Sequence, residues 1–73
     1  MEKILKGDEE IRIAVKEFKG KAYVDIRTFW SDESGQFRPS KKGITVPLGL
    51  WNEFVSAVTN VDTTKIDKDE DIQ

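Results

Sequence analysis

From Ile11 to Arg27 the chain alternates apolar and polar residues with a period of two, and that pattern restricts the fold more than any other feature. Ile11, Ile13 and Val15 are separated by Arg12 and Ala14, and Ala22, Val24 and Ile26 by Tyr23 and Asp25. Such alternation predicts two half-buried strands. Between them stands Phe18-Lys19-Gly20-Lys21, and a glycine at the second position of a two-residue loop suits a type I′ turn, which needs positive φ at both central residues. With Lys19 and Gly20 as the loop, Phe18 faces Lys21, and the ladder continues as Lys16/Tyr23, Val15/Val24, Ala14/Asp25, Ile13/Ile26, Arg12/Arg27 and Ile11/Thr28. This register gathers Ile11, Ile13, Val15, Val24 and Ile26 on one face, whereas a slip of one residue would scatter them. The other face then carries Arg12, Lys16, Phe18, Lys21, Tyr23 and Arg27, with Asp25 as its acid.

Further along, Asp32, Glu33, Ser34 and Gly35 form a turn cluster between Phe29-Trp30 and Gln36-Phe37-Arg38-Pro39, which predicts a second hairpin with a longer loop. Ser40-Lys41-Lys42-Gly43 reads as a basic bend, and Ile44-Thr45-Val46 as a short pairing segment before the chain leaves the sheet. Lys3–Lys6 is a further short strand. Pro47 suits the first position of a helix, where its missing N–H costs nothing, and Trp51, Phe54, Val55 and Val58 recur at i, i+3, i+4 and i+7. The expected helix runs from Pro47 to Thr59, with Asn60 as its stop and Val61 and Ile66 hinting at one more turn. Leu48 and Leu50 widen its apolar stripe beyond what one small sheet covers.

Composition narrows the function. The chain has 73 residues, no Cys and no His, so it lacks a thiolate nucleophile, an imidazole base and the usual zinc ligands. No catalytic residue, metal or cofactor is expected. A domain of this size buries only about 60% of the surface of its unfolded chain, and self-association is the remaining way to make up the shortfall. No apolar run approaches the roughly 20 residues needed to cross a bilayer, and Met1–Asp8 is too polar for a signal peptide, so a cytoplasmic (bacterial, nucleoid-associated) or, in a eukaryote, nuclear location is expected, with no membrane partner.

The net charge of −2 conceals a division. Residues 16–42 hold seven Lys/Arg against four Asp/Glu, whereas residues 43–73 hold two against six. Local potential, not the overall sum, decides where a polyanion binds. The domain is read as residues 1–66, and residues 67–73 as an acidic disordered tail that either keeps the chain soluble or competes with nucleic acid for the basic middle.

A sequence-tolerant binder of single strands needs cations along a groove and exposed rings on which bases stack, each stacked base being worth about 1–3 kcal/mol. The polar hairpin face offers both. The ordinary alternative is a solvated Lys/Arg face with Phe18 shielding a turn and Tyr23 half-buried by its neighbours. Strict alternation from Val24 turns Trp30 inward with Ile26, and a bulge near Thr28 or Phe29 would turn it outward. A metal-dependent hydrolase built on Asp25, Asp32 and Glu33 is disfavoured, because two of the three are adjacent in a turn and nothing fixes an oxygen cage.

The strings Phe18-Lys19-Gly20-Lys21, Val24-Asp25-Ile26-Arg27, Phe29-Trp30-Ser31-Asp32, Gly35, Arg38-Pro39, Lys42-Gly43-Ile44 and Trp51 together resemble the single-stranded DNA-binding domain of the positive cofactor four family of transcriptional coactivators. The resemblance spans about Ile11 to Val61, and the bacterial single-domain, YdbC-like members are nearest in size. It implies an α+β fold: a curved four-stranded antiparallel sheet and one C-terminal helix, dimerised through Trp51, Phe54, Val55 and Val58. It also implies stacking of bases on Phe18 and Trp30, with Lys16, Lys19, Lys21, Arg27, Arg38 and Lys42 meeting phosphates or bases; Arg12, Tyr23 and Lys41 are further candidates. For Trp30 the resemblance favours the bulge. The long Ser- and Lys-rich N-terminal region of eukaryotic members has no counterpart here, which weakens a coactivator role more than DNA binding. Lys16 stands where those members have Arg, a better bidentate and stacking partner. The implied partners are single-stranded DNA, with RNA left open, a second copy of the chain and the transcription machinery. A protein-interaction module with incidental nucleic-acid binding is the alternative.

Overall fold

The structure, a computed structural model, describes residues 1–68. Four strands run in sequence order as an antiparallel meander: β1 (Glu2–Lys6), β2 (Glu9–Phe18), β3 (Lys21–Ser31) and β4 (Phe37–Pro47). A 3₁₀ turn, Leu48–Leu50, then leads into helix α1 (Trp51–Thr59). The β2–β3 ladder has the register that the alternation predicts, from Phe18↔Lys21 to Ile11↔Thr28, and it continues to Glu9↔Trp30. Lys19 and Gly20 both have positive φ, 52° and 79°, as a type I′ turn demands. Of the two only glycine takes this geometry without a steric cost.

Three expectations are corrected. Ser40–Gly43 is not a bend between strands but lies inside β4, which is continuous from Phe37 to Pro47. The irregularity foreseen near Thr28 does exist: Arg27 pairs with Gly43 and Phe29 with Pro39, so Ser40, Lys41 and Lys42 stand opposite Thr28 alone. The extra residues therefore belong to β4. Because β3 stays in unbroken register with β2, its alternation is not reversed, and Trp30 remains on the side of Ile26 and Thr28. Finally, Pro47 ends β4 instead of opening the helix, with extended dihedrals of φ −56° and ψ 145°. Gly49 weakens the next turn as helix, and no side chain caps the start of α1, so regular helix begins only at Trp51.

Gly43 is fixed by proximity. A Cβ there would lie 2.8 Å from the Ile26 carbonyl oxygen and 3.1 Å from the Arg27 Cα, which leaves no room for a side chain where β4 rejoins β3. At the far end of α1, Asn60 donates its backbone N–H to the carbonyls of Ser56 and Ala57. The further turn hinted at by Val61 follows at Asp62–Lys65, closed by Thr64 N–H and Oγ1–H donating to Asp62 Oδ1.

Helix α1 lies against one face of the sheet. Trp51, Phe54, Val55 and Val58 meet Ile4, Ile11, Ile13, Ile26 and Ile44 across an apolar cleft of about 340 Å³. Trp51 and Phe54 stack with their ring centroids 5.7 Å apart. Cover on this side is thin. Among the described residues only Val24 and Val46 are buried apolar side chains, at 3% and 6% exposure, while Ile4, Ile44, Leu48, Leu50, Val55 and Val58 stay exposed. No described helix is long and apolar enough to cross a membrane. Residues 69–73 of the proposed acidic tail lie outside the described residues.

Candidate nucleic-acid interface

The sheet face opposite α1 is open. By register it carries Glu10, Arg12, Ala14, Lys16 and Phe18 from β2, and Lys21, Tyr23, Asp25, Arg27 and Phe29 from β3. At its centre sits Asp25, only 4% exposed. Arg27 grips this carboxylate with two nitrogens, Nη2 to Oδ1 at 3.0 Å and Nε to Oδ2 at 3.3 Å, and Lys16 Nζ stands 3.5 Å from Oδ2. Ala14, directly across the ladder from Asp25, adds little bulk at the point where the cations converge. Burial pushes the Asp25 carboxyl up, but Arg27 and Lys16 together outweigh it and hold the group below its ordinary value. Arg27 also donates Nη1–H to the Ser40 carbonyl at 2.9 Å, fastening the β4 bulge to the face. Two cations are thus aimed across the sheet by one carboxylate.

Toward the β2–β3 turn the face becomes more exposed and more basic. Phe18 is 64% exposed, and Lys19 Nζ lies 5.3 Å from its ring centroid, a cation–π contact at the turn. Lys21 stands directly across from Phe18, and Tyr23, half-buried, across from Lys16. Lys16, Phe18, Lys19, Lys21 and Arg27, all singled out from the sequence, therefore form one continuous patch.

The remaining sequence candidates are placed differently. Trp30 and Arg38 are cross-strand partners at the other end of the sheet, and Trp30 is 43% exposed. Arg38 donates Nε–H to Asp32 Oδ2 at 2.8 Å. That carboxylate organises the β3–β4 loop, its Oδ1 accepting from Ser34 N–H, Ser34 Oγ–H and Gln36 N–H. Those bonds, the Ser34 hydroxyl and Arg38 foremost, hold the Asp32 pKa down to about 2. Lys42 belongs to the β4 bulge and lines a shallow depression with Lys6, Ile11, Ile26 and Thr28, toward the helix side, and Lys41 is exposed beside it. No group of three or more metal-ligating side chains occurs among the described residues.

Sequence reasoning missed a second cluster on the open face. The Arg12 guanidinium lies over the Phe29 ring at 4.1 Å and 5.5 Å from the Phe37 ring, and its Nε–H donates to Glu10 Oε1 at 2.9 Å. Phe29 was readable, since alternation from Asp25 and Arg27 puts it on this face. Phe37 was not, because its pairing with Ser31 depends on the length of the β3–β4 loop.

The sequence matches the family described as Transcriptional Coactivator p15 (PC4) over residues 5–57. It is 40% identical over 57 residues to an RNA polymerase II transcriptional coactivator of Drosophila melanogaster, covering 78% of this chain and 49% of that one. With the RNA polymerase II transcriptional coactivator of Saccharomyces cerevisiae the identity is 35% over 52 residues, 70% of this chain and 18% of the other. The chain thus spans about half or less of the length of these relatives. Among solved structures, a PC4 homologue from Burkholderia pseudomallei superposes with a TM-score of 0.75 at 27% identity, over 81% of each chain. The bacteriophage T5 homologue of the eukaryotic coactivator PC4, implicated in recombination-dependent DNA replication, gives 0.59 at 28% identity, over 80% of this chain and 69% of its own.

Proposed function

We propose a function from the premise that this chain belongs to the transcriptional coactivator p15 (PC4) family: it binds single-stranded DNA across its open sheet face, as a homodimer, with little sequence preference, in transcription, replication or repair. The observation that carries this reading is the patch at the β2–β3 turn, where the exposed Phe18 ring stands among Lys16, Lys19 and Lys21, with Arg27 farther along the face on Asp25. An exposed aromatic ringed by cations suits an unstacked base with its flanking phosphates, and serves a duplex poorly because its bases are already stacked. Tyr23 extends the stacking surface on this face, while Trp30, exposed on the helix side of β3, lies with Arg38, Lys41 and Lys42 at its margins, where only a strand that wraps the end of the sheet reaches it.

The other face supports self-association. Among the described residues, two buried valines are too small a core for a stable domain, and the apolar stripe of α1 is left half covered. Pairing two copies through Trp51, Phe54, Val55 and Val58 covers both stripes at once and leaves both open faces free.

The test is fluorescence anisotropy of a labelled oligo-dT of about 20 nucleotides, beside a duplex of equal length, at two salt concentrations. Tight binding to the single strand that weakens with salt by a slope of about 0.7 per phosphate contact is expected, with weak binding to duplex. No binding by folded protein would overturn the proposal and leave the face to a protein partner.

A further inference from the structure

The open face has two ends, and the proposed function uses only one. About 20 Å from Phe18 along β2, at roughly 3.3 Å per residue, stands Arg12 with Glu10, Phe29 and Phe37. This end differs in kind from the turn end. The Glu10 carboxylate, almost wholly buried, cancels the Arg12 charge, so the cluster is neutral and offers a phosphate little attraction. What it offers is flat surface: a guanidinium plane fixed by its Nε–H bond to Glu10 and backed by Phe29, beside a Phe37 ring that is 37% exposed. Leu5, across from Glu10 on β1, is exposed at its border. Among the described residues Arg12 makes its hydrogen bond through Nε alone, which leaves its terminal N–H groups available to a ligand in the plane of the stack.

Resting on the single-strand reading, we propose that Arg12 and Phe37 form a second stacking subsite, which takes an unpaired nucleobase of the same strand whose phosphates are held near Lys16 and Arg27. Nucleobases stack on phenyl rings and on guanidinium planes alike. A strand lying along β2 and stacked on Phe18 reaches Arg12 a few nucleotides later. Because the subsite is neutral, it adds affinity without adding salt dependence.

The experiment compares the unaltered protein with Phe37→Ala, Phe37→Leu and Arg12→Lys, using labelled oligo-dT of about 20 nucleotides at two salt concentrations, with thermal melts to confirm folding. Each variant is expected to lose about 5- to 150-fold in affinity, the equivalent of one stacked base, with an unchanged salt slope. Phe37→Leu keeps apolar packing against Arg12 while removing the ring, so it carries the test if Phe37→Ala fails to fold. Variants that bind as tightly as the unaltered protein would remove the subsite and leave the single-strand reading standing. A slope that flattens in a further variant, Arg12→Gln, which removes the charge that Arg12→Lys keeps, would mean that Arg12 meets phosphate and would also overturn the subsite. If the unaltered protein itself fails to bind, the reading and the subsite fall together.

Discussion

The two faces of this sheet are made by alternate residues of the same strands, yet they are finished in opposite ways. On the open face the central charges have partners within the chain: Asp25 has Arg27 and Lys16, and Glu10 has Arg12. On the helix face, apolar side chains outnumber those that cover them, and Ile4, Ile44, Val55 and Val58 remain exposed beside the cleft. The difference teaches a division of labour written at period two. Under the proposed function, one set of alternate residues is prepared for a ligand that arrives charged, and the other still lacks apolar surface, which a second copy would supply.

The comparison breaks most readily at Phe54, which lines the cleft and stacks on Trp51. Phe54→Ala is expected to destabilise the protein by about 3 kcal/mol. In urea the unfolding midpoint of the unaltered protein is expected to rise with protein concentration, as linkage to self-association requires. A loss below about 1 kcal/mol, with a midpoint indifferent to concentration, would show that the helix face is finished as it stands.

On the open face the pairing has its own consequence. Changing Lys16 and Arg27 together to Ala removes two cations, so the salt slope of binding should flatten by about 1.4. It also strips a buried carboxylate of its partners. Because both cations are partly exposed, the loss of stability is expected to be modest. In the unaltered protein the Asp25 carboxyl sits below its ordinary value, so its contribution is present above the normal carboxylate range and is lost as pH falls through the lowered value. Without the cations only burial acts, the carboxyl moves up and the sign reverses, so stability is lost as pH rises through the raised value. Adding Asp25→Asn should restore stability but not binding, and thermal melts between pH 7 and 3 separate the two. Recovery of binding along with stability would mean that Lys16 and Arg27 serve the fold alone.

A smaller effect is expected at Trp30, which is half-exposed and outside the cleft under α1. Trp30→Ala should leave the fold intact and, with the strand wrapping the exposed end of the sheet to reach the ring on the other side of β3, weaken single-strand binding by about 1–3 kcal/mol. The chain has two tryptophans, so loss of the oligonucleotide quenching signal in this variant assigns it to Trp30 and not to Trp51. Unfolding without a separate loss of binding would place Trp30 in the core.

Much of this architecture was legible from Ile11 to Arg27, because there a single register satisfied burial, turn chemistry and alternation together. Legibility failed where long-range geometry intervened. Nothing local says that Ser40, Lys41 and Lys42 bulge opposite Thr28; that follows from Gly43 meeting β3 so closely that a Cβ would clash with Ile26. Pro47 is equally compatible with a strand end and a helix start, and Gly49 decided between them. On the site, Lys16, Phe18 and Arg27 could be grouped from the hairpin alone, whereas the approach of Phe37 to Arg12 needed the β3–β4 pairing.

The smallest expected effect lies at the sheet end farthest from the turn, where Asp32 ties Arg38 into the loop. Asp32 is expected to titrate near 2 instead of near 3.8, chiefly because Ser34 Oγ–H and Arg38 donate to its ionised form. Its hold on the loop is therefore complete above about pH 4 and is lost as pH falls through about 2. Carboxyl titration by NMR checks the value, and Ser34→Ala should move it up toward the ordinary range. While Asp32 is ionised it competes with phosphate for the Arg38 guanidinium, so Arg38→Ala should weaken binding less than Arg27→Ala, whose guanidinium is aimed across the open face. If Asp32 titrates normally, the loop does not hold Arg38, and the two ends of the sheet are then alike in leaving their cations to the ligand.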